Sequence, residues 1–191
     1  KHSPEHPLYI VSIAAATNVA SAILTDPAAM TENVVHIWLG GHALHWVDTG
    51  EFNMKQDIAA ARVLFGCGAP LVQLPCNGVA SGFTTTEPEL RHYLKGKNPL
   101  CDYLFAKATE GMDRHFRGIA WDRAIWDVTA VGCLLNENNR MMLSYLRPAL
   151  IPQYDGTYSE QPTRHPMRYV YFVCRYGLMT DLFRKLRGAD Q

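Results

Sequence analysis

Three short apolar runs separated by helical segments constrain this chain more than anything else in it. Leu8 to Ala15 (LYIVSIAA) is apolar at successive positions, so a strand there is read as buried on both faces. Val34 to Leu39 repeats the pattern and is closed by Gly40-Gly41, and Leu71 to Leu74 follows Ala69-Pro70. Between them NVASAIL reads as a helix, with Thr17 or Asn18 as N-cap and Asp26-Pro27 as the stop. Gln56 to Gly66 reads as a second helix. Buried strands alternating with helices predict an α/β fold: an open, mostly parallel sheet with flanking helices.

The rest of the chain is mainly helical. Glu87 to Leu94, Pro99 to Phe116 and Trp126 to Leu135 carry apolar residues at helical spacing. Arg147 to His165 reads as a long loop, Tyr169 to Val173 as a last strand and Leu178 to Leu186 as a last helix. The first strand enters buried with no earlier βα unit beside it, although parallel sheets need cover on both faces. Residues 1–191 are therefore expected to be one domain, the C-terminal portion of a larger one, missing its first βα units. The opening Lys-His-Ser-Pro-Glu-His-Pro reads as a cut edge rather than a natural start. A chain cut this way is expected to expose an apolar sheet edge. It is expected to associate with the missing N-terminal segment or with itself as a homo-oligomer.

Composition narrows the function. With 48% hydrophobic residues in 191, the chain can bury a core and is neither disordered nor fibrous. Lys+Arg 18 against Asp+Glu 18 gives zero formal charge, which argues against nucleic-acid binding by bulk attraction and against a polybasic membrane anchor. No apolar run is long enough to span a bilayer. The five cysteines are isolated and odd in number, so they read as free thiols of a reducing, cytoplasmic compartment.

In an open parallel sheet, ligands sit outside the carboxyl ends of the strands. The polar residues there are Thr17 and Asn18 after the first strand, then His42, Asp48, Glu51 and Asn53 after the second. Glu51 and Asn53 lie two residues apart just before a helix. A carboxylate and a carboxamide on one side of an extended segment can bracket a polyhydroxylated ligand such as a sugar; equally, they can cap the helix. His42 and His45 make zinc conceivable, without a recognised zinc spacing. Trp126 and Asp127, read alone, are a core tryptophan and an N-cap. Phosphate-loop, dinucleotide and nucleophile-elbow motifs do not occur.

Taken together, A-A-T-N-V-A, D-P, L-G-G, E-F-N, D-x-A-A-A and W-D-V-T-A-V occur in an order that resembles the calcium-dependent nucleoside hydrolases, the inosine–uridine-preferring group. The resemblance runs from about Pro7 to Leu135 and continues more weakly over Tyr169 to Leu186. It implies hydrolysis of the bond between ribose and base in a small-molecule nucleoside. In that family, calcium holds the ribose diol and the attacking water. By the same resemblance Asp127 ligates calcium and touches ribose, the Ile13 carbonyl is a main-chain calcium ligand, and Glu51 and Asn53 bind ribose. Two departures matter. Trp126 stands where many members carry histidine, which points to purines stacked on the indole. The family's first-strand D-x-D-x-x-x-D-D is nowhere in this sequence, so the general base and most of the calcium site are lacking. The loop from Gly41 to Glu51 also looks short, leaving His45 and Trp46 to line the base pocket. The isolated chain is expected to be inactive or nearly so; the rival reading is a non-catalytic sugar-binding or regulatory module.

Overall fold

The computed structural model describes residues 2–112, 116 and 118–188. Its centre is a five-stranded sheet ordered β1-β2-β3-β9-β6. The strands are β1 (Leu8–Ser12), β2 (Val34–Leu39), β3 (Leu71–Leu74), β6 (Met142–Pro148) and β9 (Pro166–Val173). The first three pair in parallel in sequence order, β9 adds in parallel to β3, and β6 closes the far edge antiparallel to β9. Two two-stranded ribbons stand apart from it: β4 (Thr84–Thr85) with β5 (Arg123–Ala124), and β7 (Ile151–Pro152) with β8 (Tyr158–Ser159). The expected mostly parallel α/β sheet is thus observed.

Helices cover both faces. On one face, α1 (Thr17–Thr25) and α4 (Ile58–Gly66) pack Ala20, Ile23, Leu64 and Phe65 around Trp38 of β2. The Trp38 and Phe65 rings meet edge to face at 5.8 Å, a favoured aromatic geometry, and the indole N–H donates to the Ala14 carbonyl at 2.9 Å. The other face is covered by α5 (Glu87–Tyr93), α6 (Pro99–Thr109), α7 (Val128–Gly132) and α8 (Arg175–Leu186). They contribute Leu90, Cys101, Ala130, Leu178 and Phe183 to a core with Leu39, Leu74 and Val170 of the sheet. Among the described residues, no helix is long and apolar enough to cross a membrane.

Several expectations are corrected. β1 is a sheet edge, not a strand buried on both faces: Leu8 and Tyr9 are 44% and 49% exposed. Continuous apolarity is the mark of a covered strand, but among the described residues no strand lies beyond β1. Neither Thr17 nor Asn18 caps α1. The Thr17 hydroxyl instead donates to the Asp57 carboxylate at 2.6 Å, and Asp57 caps α4 through the Ala60 amide. Those two bonds hold the Asp57 carboxyl below its ordinary range. Asp26 caps α2 (Pro27–Thr31) beyond the stop. β6 had no counterpart in the sequence reading, and the expected loop 147–165 contains the end of β6 and the β7–β8 ribbon. The expected helix Trp126 to Leu135 is only the five-residue α7 followed by a 3-10 turn at Cys133–Leu135. The helix expected over Pro99 to Phe116 ends as α6 at Thr109, and residues 113–115 of that expectation lie outside the described residues.

His36 sits inside the β2 core, its Nε2–H donating to the Met30 carbonyl at 2.9 Å and its Nδ1 buried without a partner. Burial lowers its pKa, only partly offset by that bond, so the folded chain refuses a proton that the unfolded chain accepts. Stability is therefore fully present above the ordinary histidine pKa of about 6.5 and falls as pH drops below it, towards the folded value. Urea midpoints measured from about pH 7.5 down to about pH 5.5 should decline. The decline should be shallower in His36→Gln.

Candidate functional site

The carboxyl ends of β1, β2 and β3 converge on one cavity of about 470 Å³. Ile13 reaches it from just past β1, Leu39 and His42 from the end of β2, and Cys76 and Asn77 from just past β3. The loop after β2 brings Glu51, Phe52 and Asn53, and the turn into α7 brings Trp126 and Asp127. Five positions expected in the site, Ile13, Glu51, Asn53, Trp126 and Asp127, are therefore in one place.

Glu51 is the best anchored of them. It is the N-cap of α3 (Phe52–Gln56), a short helix that sequence reading placed inside a polar loop. One carboxylate oxygen accepts from the Asn53 amide at 2.8 Å; the other accepts from Met54 and Gly41, each at 3.0 Å. Gly41 can approach because it has no side chain: its φ is +73°, and a Cβ there would lie 2.0 Å from the Tyr158 hydroxyl. The capping and pocket-lining readings of Glu51 are thus compatible. About four acceptor directions exist on a carboxylate; three amides take three of them, and the Cys76 thiol lies within hydrogen-bonding reach of the same carboxylate.

Asn53 ties the strand ends together. Its Nδ2 donates to the Leu39 carbonyl at 2.9 Å and to the Ile13 carbonyl at 3.3 Å. Asp127 stands at the N-cap of α7 but accepts no amide, so its exposed carboxylate is not committed to capping. Trp126 is 36% exposed on the cavity rather than packed in the core.

Three further lining residues are His42, Cys76 and Asn77. His42 was named only as a strand-end residue and a conceivable zinc ligand. It is buried, which lowers its pKa against the opposing charges of Glu51 and Asp48. Cys76 and Asn77 follow β3, and the strand-end rule that picked out residues after β1 and β2 applies equally to them. Burial, followed by the Glu51 charge, pushes the Cys76 thiol well above its ordinary pKa, which leaves it a poor nucleophile.

His45 and Trp46 are not among the lining residues. The His45 ring lies against Gly78, 2.9 Å from where a Cβ would stand. Trp46 lines a neighbouring cavity of about 430 Å³ with Tyr171, Phe172 and Tyr176, its ring 6.0 Å from that of His42. All five cysteines are free. Among the described residues, no group of three or more His, Cys, Asp and Glu side chains could hold a metal ion, so His42 and His45 make no zinc centre. The fit to calcium is incomplete too. Asp127 and the Ile13 carbonyl are two donors where calcium takes six to eight oxygens, and that carbonyl already accepts from Asn53.

The family described as inosine-uridine preferring nucleoside hydrolase matches residues 1–180, and the chain belongs to that family. Among solved structures it is similar to a plant nucleoside hydrolase, at 22% identity and a TM-score of 0.76. It is also similar to an inosine-uridine preferring nucleoside hydrolase from Bacillus anthracis, at 14% and 0.70, and to an inosine-guanosine nucleoside hydrolase, at 13% and 0.71. The matches cover 96%, 95% and 96% of this chain but only 63%, 60% and 62% of those structures. At these identities the structures establish the shared fold. No curated protein matches the sequence significantly.

Glu51→Gln would turn an acceptor oxygen into an NH2 group facing backbone N–H donors in a buried place. A loss of about 1–3 kcal/mol in folding stability is expected from chemical denaturation. Stability equal to that of the parent would show that the three-amide cradle contributes nothing.

Proposed function

We propose that this chain is the nucleoside-binding part of a calcium-dependent N-ribosyl hydrolase acting on purine ribonucleosides, and that by itself it turns over little or no substrate. The observation that carries the reading is the meeting of Glu51, Asn53, Trp126 and Asp127 on one cavity at the carboxyl ends of the parallel strands. Membership of the family supports hydrolysis at the bond between ribose and base.

In this reading the ribose hydroxyls bond to Glu51, where they take the place of the Cys76 thiol, to Asn53 and to Asp127, and the base stacks on Trp126. Stacking on an indole face favours a large, flat purine over a pyrimidine. Asp127 and the Ile13 carbonyl are the chain's contribution to a calcium site, and because they do not complete one, no step is assigned to the metal. None of the cavity residues is assigned as general base: the Glu51 carboxylate is committed to three amides. Loss of a positioned base and metal costs several orders of magnitude in rate, which is the reason for expecting little turnover. His45 and Trp46 stand off the cavity and have no role in the reading.

The test is calorimetry with inosine alongside a ribose-release assay, both with calcium. Binding without appreciable ribose release is expected, and Glu51→Ala should abolish the binding. Rapid calcium-dependent release by the chain would overturn the inactivity. Absence of binding would overturn the nucleoside reading.

The edge strand β1 supports association as well, with a completing segment or a second copy of the chain. Leu8 and Tyr9 are half exposed along it, and an unpaired apolar strand edge is a template for another strand. On size exclusion at high concentration the chain should elute larger than its 21.4 kDa monomer, and Tyr9→Lys should shift it back. A clean monomer for the parent chain would count against association.

A further inference from the structure

His42 is a cavity residue for which the sugar contacts above leave no use. Its buried ring is held at one nitrogen, where the Asn77 backbone amide donates to Nδ1 at 3.3 Å. A neutral imidazole that accepts at Nδ1 carries its proton on Nε2. Among the described residues, Nε2 meets one hydrogen-bonding group, the Asn77 carboxamide, whose Nδ2 is 3.5 Å away. Two donors facing each other form no bond. Turning the carboxamide over would let its oxygen accept the imidazole proton, but would release its NH2 group instead. In either orientation the pair keeps surplus N–H donors at the cavity, which both residues line. Burial of the ring favours the neutral, singly protonated form.

The chemistry of a nucleoside divides in a way that matches this surplus. Ribose hydroxyls donate as well as accept, and carboxylates and carboxamides suit them. The unprotonated ring nitrogens and the carbonyl oxygen of a purine only accept, and need an N–H. We infer that the His42–Asn77 pair recognises the heterocyclic base, donating a hydrogen bond to an acceptor-only atom of its ring or its carbonyl. The inference rests on the nucleoside reading of the cavity. Such a bond strengthens as the electron pair of the sugar–base bond passes to the base, at a position where Trp126 supplies no imidazole.

The experiment uses the full chain uniformly labelled with ¹⁵N, so that histidine ring nitrogens and backbone amides are both read, with calcium present and inosine and D-ribose as probes. Inosine should move the His42 Nε2 resonance, and ribose should leave it in place while perturbing the Glu51 and Asn53 amides. His42→Phe should weaken inosine binding about tenfold, the scale of one lost hydrogen bond, and leave ribose binding unchanged. His42→Gln, which keeps a side-chain N–H, should recover most of the affinity and guards against a folding defect in the phenylalanine variant. An inosine complex with an unmoved His42 resonance, or equal losses for both probes, would overturn base recognition and leave the nucleoside reading intact. No response of the Glu51 and Asn53 amides to either probe would overturn both.

Discussion

The carboxylate of Glu51 holds the site in shape. A buried carboxylate needs donors, and three backbone amides supply them, from Gly41 just past β2 and from Asn53 and Met54 in the first turn of α3. The same side chain therefore ends a strand, starts a helix and places an acceptor on the cavity. The start of a helix also favours the negative charge there. Asn53 adds the second tie, joining the carbonyls that end β1 and β2. Two side chains two residues apart thus fix where the sheet stops and the cavity begins.

Gly40-Gly41 is the price of that arrangement. A Cβ at Gly40 would stand 2.3 Å from the Trp38 ring, and one at Gly41 would meet the Tyr158 hydroxyl. Trp38 in turn packs on Phe65 of α4, so the backbone turn at the cavity is backed by the aromatic centre of one core. Tyr158 sits on the β7–β8 ribbon and its hydroxyl accepts from Gln73 of β3 at 2.9 Å. Site geometry, core packing and a distant ribbon are mechanically continuous here.

What was legible in the sequence followed from periodicity and position. β2, β3 and α4 declare themselves by length, apolarity and Gly/Pro punctuation, and the strand-end rule leads to Glu51, Asn53 and His42. β6 was illegible because an edge strand need not be apolar: Met142–Pro148 mixes Ser144 and Arg147 with exposed Leu143, Tyr145 and Leu146, and pairs with β9 through a register shift. β1 misled in the opposite sense, since its composition is that of a covered strand. Trp126 and Asp127 were open to a core-and-cap reading because a tryptophan before an apolar segment usually packs inward. Only tertiary structure shows a five-residue helix whose first carboxylate caps nothing. His45 and Trp46 were placed by loop proximity alone, and loop proximity does not say which side of His42 a ring occupies.

The two open features of the chain point the same way. Asp127 is a carboxylate with no amide to cap, and β1 is an apolar strand with an unpaired edge. Ile13, which follows β1 directly, lines the cavity with Asp127 and is itself 45% exposed. A strand added in parallel along β1 would end near Ile13, which lines the cavity together with Asp127.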